Sequence, residues 1–261
     1  MSDLEFNGRK QAQHCLFASA QLHNGGLAIR QGMAFSGQYG FVLIGPDISL
    51  PGGATHNPPV AMGPIWNQAM PGRAAVTFTS DANYSWVRGH LVNGEWSGPG
   101  NTWQNLTPLT PTANHNHATI ENYMRAFCQA SLSYDTNSPG YQNEWYAVGY
   151  LVQCSVRSWA FTPSNTDLYA YAPEFIKVSW RAVSIPKPNL QASAIPAYLA
   201  TANFVSVPVL PFTPPQRPAA IAGTCLPAAG NAQGQPVYPT PAAFPAAQNN
   251  GFDGDIEVHQ S

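Results

Sequence analysis

Charge is scarce in this chain. Only 9% of its 261 residues are Asp, Glu, Lys or Arg and the formal net charge is −2, against about a quarter of residues charged in an average soluble domain. A broad basic face of the kind that neutralises many phosphates is therefore not expected. Between Arg73 and Arg125 the basic residues are Arg73, Arg88 and Arg125, and the acidic ones are Asp81, Glu95 and Glu121. A polyanion bound to this stretch has to be held by a few placed arginines, a metal ion and backbone amides.

Cysteine is equally sparse. Cys15, Cys128, Cys154 and Cys225 form no C-x-x-C pair and have no ligand-like spacing, which argues against a structural zinc site. Buried free thiols are the expectation, with disulfides left open. No apolar run approaches membrane-spanning length. The start, Met1-Ser2-Asp3-Leu4-Glu5-Phe6, has neither a basic n-region nor an apolar h-region, which predicts synthesis in the cytoplasm without a cleaved leader and any secretion by a leaderless route.

Proline, by contrast, is plentiful: 25 residues, concentrated after Ile185. Segments such as Pro214-Pro215-Gln216-Arg217-Pro218 and Pro239-Thr240-Pro241 favour an extended polyproline conformation and bring little core. The chain is thus read as a domain over 1–185 and a Pro/Ala-rich extended tail over 186–261, lying on the domain or flexible. The fold class expected is α+β, an antiparallel sheet-rich domain.

Within that domain, Tyr39 to Ile44 reads as a strand bounded by glycines. The Pro/Gly/Asn-rich text from Gly45 to Pro71 reads as irregular loop. Ala74–Thr79 and Tyr84–Val92 read as strands, with Gly89 suggesting a bend or bulge. After the turn cluster Ser97-Gly98-Pro99-Gly100, a helix is predicted from Asn114 to about Ser133, with Ile120, Met124 and Phe127 at helical spacing and Thr112 or Asn114 as N-cap. Two long strands, 144–159 and 174–184, are expected to be antiparallel neighbours because β-branched and aromatic residues dominate them. Trp86, Trp96 and Trp103 are read as core or turn packing ahead of base stacking.

One run concentrates the chemistry. Hydrolysis of a phosphodiester needs a base for water, a metal to stabilise developing charge and a cation for the phosphate. His90 suits the first role, because a neutral imidazole takes a proton near neutral pH. Asn114 suits the second, since an amide oxygen is a hard neutral ligand that lets Mg²⁺ keep most of its waters. Arg88 suits the third with its bidentate fork. On a helix Asn114, His117 and Glu121 fall at i, i+3 and i+7 and share a face. Glu121 is then placed to accept from a metal-bound water, and His117 to act as a second ligand or a substrate contact.

The order Arg88-Gly89-His90, then Asn105-Leu106-Thr107-Pro108, then Asn114 nine positions after Asn105, then Glu121, resembles the DNA/RNA non-specific endonucleases of the ββα-metal superfamily, relatives of the HNH nucleases. The resemblance covers roughly Arg88 to Glu121. It implies a ββα-metal finger at about 76–133, His90 as general base, Asn114 as ligand of Mg²⁺ (or Mn²⁺) and Arg88 as phosphate contact. It further implies that Asn105 supports the site geometry and that Glu121 holds a metal-bound water. A similar pattern occurs in nuclease domains of bacterial toxins and injected effectors, which implies nucleic acid as substrate, no membrane, and an immunity protein or secretion apparatus as partner. The competing expectation is a non-catalytic β-rich binding or structural module of a secreted assembly. A glycan-cleaving reading finds no partnered pair of carboxylates in the sequence.

Overall fold

The computed structural model describes residues 19–30, 33–45, 87–137, 143–156, 172–190, 192–221, 242–244 and 247–260. Four strands come first: β1 (Ser19–Asn24), β2 (Leu27–Arg30), β3 (Met33–Gly37) and β4 (Tyr39–Ile44). Next are β5 (Val87–His90), β6 (Leu106–Leu109) and a 27-residue helix, α1 (Pro111–Asn137). The long strands β7 (Glu144–Cys154) and β8 (Phe175–Pro186) follow, then α2 (Ile195–Thr201), β9 (Val205–Ser206), β10 (Ala220–Ile221), β11 (Ala242–Ala243) and β12 (Gly254–His259).

The main sheet is antiparallel, in the order β1-β4-β7-β8-β12, with β9 pairing the same strand β8. β7 and β8 are neighbours over eleven residue pairs, from Glu144↔Pro186 to Cys154↔Ile176. Strand periodicity divides their side chains between two faces. Val148, Tyr150, Val152, Ile176, Val178 and Trp180 face a core that includes Ile120, Met124 and Phe127 of α1. Trp145, Ala147, Val183 and Ile185 face the opposite side, where Ile195 and Leu199 of α2 cover them. The domain is α+β, with a helix on each side of one antiparallel sheet.

α1 starts earlier than its apolar spacing suggests. The cap is Thr110, whose Oγ1 accepts from the backbone N–H of Ala113 at 3.2 Å, rather than Thr112 or Asn114. Pro111 occupies the first helical position, where its missing N–H costs nothing and its fixed φ suits the helix. Beyond Pro111 the helix contains no Gly or Pro, and Ser138-Pro139-Gly140 follows it in the sequence. Near its C-terminal end, Lys187 Nζ contacts Asp135 Oδ1, both side chains buried, and so joins the helix to the end of β8.

The tail reading is amended at the C-terminus. β12 pairs with β8 from Gly254↔Trp180 to His259↔Phe175, and Phe252, Ile256 and Val258 belong to the main core. Trp180 Nε1 donates to the Phe252 carbonyl at 2.7 Å, and Asp253 Oδ1 accepts from the Ala182 N–H at 2.7 Å. Alternating Ile256 and Val258 outweigh the low-complexity text before them. Part of the proline-rich segment also packs on the domain: the Phe212 ring lies 5.4 Å from Phe127 and 5.5 Å from Tyr134. Gln260 closes the chain onto the site described next, accepting from the Thr110 N–H at 2.8 Å and donating to the Pro108 carbonyl at 2.9 Å.

Trp96 and Trp103 are fully buried, as expected for packing residues, and Cys128 is a buried free thiol. The strand expected at 74–79, the loop expected from Gly45 to Pro71 apart from Gly45 itself, Trp86, Cys15 and Cys225 lie outside the described residues. No described helix is long and apolar enough to cross a membrane.

Candidate active site

β5 and β6 form an antiparallel hairpin in the register Val87↔Leu109, Arg88↔Pro108, Gly89↔Thr107 and His90↔Leu106. The pairing is regular, so Gly89 makes no bulge. Its lack of a side chain serves packing instead: a Cβ there would stand 2.3 Å from Leu109 Cδ1. Leu109 reaches into the core over Gly89, while Arg88 and His90, two residues apart on the strand, project together from the other face. Burial draws the Arg88 guanidinium below its ordinary value.

The connection from His90 to β6 is held by Asn105. Its Oδ1 accepts from the Val92 N–H at 3.1 Å and from Asn24 Nδ2 at 2.7 Å. Its Nδ2 donates to the carbonyls of Val92 at 2.9 Å and Pro99 at 3.1 Å. The Leu91 N–H meanwhile donates to the Asn105 carbonyl at 2.8 Å. This fully buried amide thus fixes the backbone immediately after His90 and ties it to β1. Asn105→Ala strands several buried partners at once, and urea denaturation is expected to show a loss of about 2–3 kcal/mol. A change within the error of the wild-type transition would refute this account of Asn105.

Across from the hairpin, α1 presents His117 and Glu121 one turn apart, 3% and 5% exposed. His117 Nε2 is 2.7 Å from the Tyr150 hydroxyl of β7 and 4.0 Å from Glu121 Oε1. Asn93 Nδ2, from the turn after His90, donates to Glu121 Oε2 at 2.7 Å. The same Asn93 caps the 3₁₀ turn Gly94–Trp96, its Oδ1 accepting from the Glu95 N–H. One turn further along α1, Arg125 pairs with Glu95 at 2.7 Å and lies over the Trp96 ring.

The electrostatics of the pair are set by burial. Desolvation pushes the Glu121 carboxyl up to about 7, opposed by the Asn93 hydrogen bond and by Arg125. Desolvation likewise holds His117 down to about 3, with the nearby charge of His90 acting in the same direction. At neutral pH His117 is a neutral imidazole. Glu121 is a carboxyl group short of positive charge.

The hairpin and helix therefore bring His90, His117 and Glu121 together, with Arg88 on the His90 side of the hairpin and Asn105 behind the loop. Asn114 is exposed on the first turns of α1, where its backbone N–H donates to the Thr110 carbonyl at 2.9 Å. Two members of the cluster lacked a sequence signal. Asn93 reads as an ordinary turn residue, and Tyr150 stands 33 positions after His117 on a strand.

Asn114 offers an exposed amide oxygen near the start of α1 and Glu121 a buried carboxyl seven residues further on; both are oxygen donors of the type a hydrated cation such as Mg²⁺ takes. Among the described residues no three side chains from His, Cys, Asp and Glu converge as a metal cage. Nε2 of His117 is already engaged by Tyr150. No protein-family model, no curated protein and no solved structure matches this chain.

Proposed function

We propose that the chain is a metal-dependent endonuclease that hydrolyses phosphodiester bonds of DNA, RNA or both with little sequence preference. The hairpin β5–β6 and α1 are read as its ββα-metal finger. The observation that carries the reading is the grouping of His90 with the buried His117–Glu121 pair, with Arg88 projecting beside His90.

His90 in its neutral form takes the proton of the attacking water. Arg88 offers two parallel N–H donors to the phosphate, keeping the scissile group in line with that water. Asn114 and Glu121 would hold Mg²⁺ or Mn²⁺ with its waters, and the ion would supply charge stabilisation for the phosphate and the departing oxygen. Asn93 fixes the Glu121 carboxyl through Oε2. The resemblance of Arg88-Gly89-His90 through Glu121 to the non-specific endonucleases supports the same assignment of roles.

The test is digestion of plasmid DNA and of structured RNA with Mg²⁺, with Mn²⁺ and with chelator. Cleavage that requires the metal is expected. An intact protein that stays inactive with every divalent ion on both substrates removes the reading. Deployment as an antibacterial or injected toxin is part of it, with an immunity protein as natural partner. Expression in a bacterial host is expected to arrest growth, and equal growth of cultures expressing the wild type and an inactive variant would exclude that deployment.

A further inference from the structure

Tyr150 is a central residue of β7 and fully buried, with its ring edge-on to Trp96 at 5.2 Å and nearly parallel to the His117 imidazole, 8° between planes. Full burial and the Trp96 contact fix where its hydroxyl points. Among the described residues that hydroxyl has one partner at hydrogen-bond distance, His117 Nε2 at 2.7 Å. Glu121 Oε1 stands 4.0 Å from the same nitrogen, beyond hydrogen-bond reach.

The direction of the bond follows from what each alternative leaves unmade. A neutral imidazole carries one N–H, so Nε2 either accepts or donates. If Nε2 donated, the phenolic proton would need a second acceptor inside the core, where an orphaned donor costs about 1–3 kcal/mol. If Nε2 accepts, the hydroxyl proton is satisfied and Nδ1 carries the imidazole proton. A phenol keeps its proton at neutral pH, so the hydroxyl has it to donate.

We propose that Tyr150 is a positioning residue of this site: its hydroxyl donates to His117 Nε2, holds that ring as the neutral Nδ1-protonated tautomer, and ties the site face of α1 to the central strand of the sheet. The inference rests on the nuclease reading for its kinetic consequence only. A His117 ring locked in one orientation by this bond keeps Nε2 from serving as a metal ligand.

Tyr150→Phe removes the hydroxyl and leaves the ring packing on Trp96. Long-range ¹H–¹⁵N correlation on the wild type is expected to show an unprotonated, hydrogen-bonded Nε2 and a protonated Nδ1 for His117. In Tyr150→Phe the Nε2 resonance is expected to move and the two tautomers to mix. Turnover is expected to fall by about tenfold to a hundredfold with KM for nucleic acid unchanged, as for other outer partners of a site histidine. A residue that merely packs would shift the melting temperature and leave both the His117 spectrum and kcat of the folded enzyme unchanged.

A protonated Nε2 in the wild type overturns the inference, whether or not the variant folds. So does an unaltered His117 spectrum in the variant, or wild-type turnover beside an altered one. Inactivity of the wild type removes the nuclease reading alone, and the two spectra then decide the Tyr150 assignment.

Discussion

Replacing His90 by alanine is expected to lower metal-dependent cleavage of DNA or RNA by about a thousandfold, the middle of the range for losing a positioned general base. The fold should tolerate the change. His90 is only half-buried at the end of β5, and its backbone pairing with Leu106 does not depend on the imidazole. The loop after it is anchored by the Asn105 amide rather than by His90. Circular dichroism should therefore match the wild type while cleavage collapses. His90→Ala digesting plasmid at the parental rate would show that another group takes the proton, even if the protein is a nuclease.

The second large effect is on stability as a function of pH, measured with chelator present. Between its ordinary value of 4.5 and about 7, Glu121 is protonated in the folded protein and ionised in the unfolded chain. The folded state binds the extra proton, so this group makes stability fall as pH rises across that window, by about 1.4 kcal/mol per pH unit. His117 acts with the opposite sign. Between about 3 and its ordinary value of 6.5 it is neutral when folded and protonated when unfolded. Stability therefore rises with pH across that range at a similar rate, and the two slopes cancel between 4.5 and 6.5.

Glu121→Gln isolates one arm of this balance. Glutamine mimics the protonated carboxyl, still accepts from Asn93, and cannot ionise. The stability of the variant relative to wild type is expected to increase between pH 4.5 and 7, by about 3 kcal/mol in total. Adding Mg²⁺ above pH 7 is expected to recover stability in the wild type and not in the variant, since a cation favours the carboxylate. Denaturation midpoints that differ by a constant amount from pH 4 to pH 8 would rule out a buried, proton-binding Glu121.

Much of the framework was legible in local sequence. The β-branched and aromatic text of β7 and β8 identified two long antiparallel neighbours, because period-2 burial depends on residues close in the chain. The apolar spacing of Ile120, Met124 and Phe127 identified α1 for the same reason. The start of α1 was displaced, because Thr110, Thr112 and Asn114 are all chemically able to cap and Pro111 favours the first. β12 carried a signal in Ile256 and Val258, overshadowed by the Pro/Ala composition of the residues before it.

By itself, the sequence determined the candidate chemistry and its order along the chain: a histidine after Arg-Gly, then an amide in the next turn, then a helix with a carboxylate. Only the tertiary structure decided how those groups behave. Asn93 lies 28 residues from Glu121 and Tyr150 lies 33 from His117, so no local pattern joins them. The shifts of Glu121 and His117 arise from solvent excluded by the sheet, the hairpin and the helix together. Desolvation depends on everything packed around a group. That is why two side chains that the sequence places only on one face of a helix form a buried pair beside His90 in the folded protein.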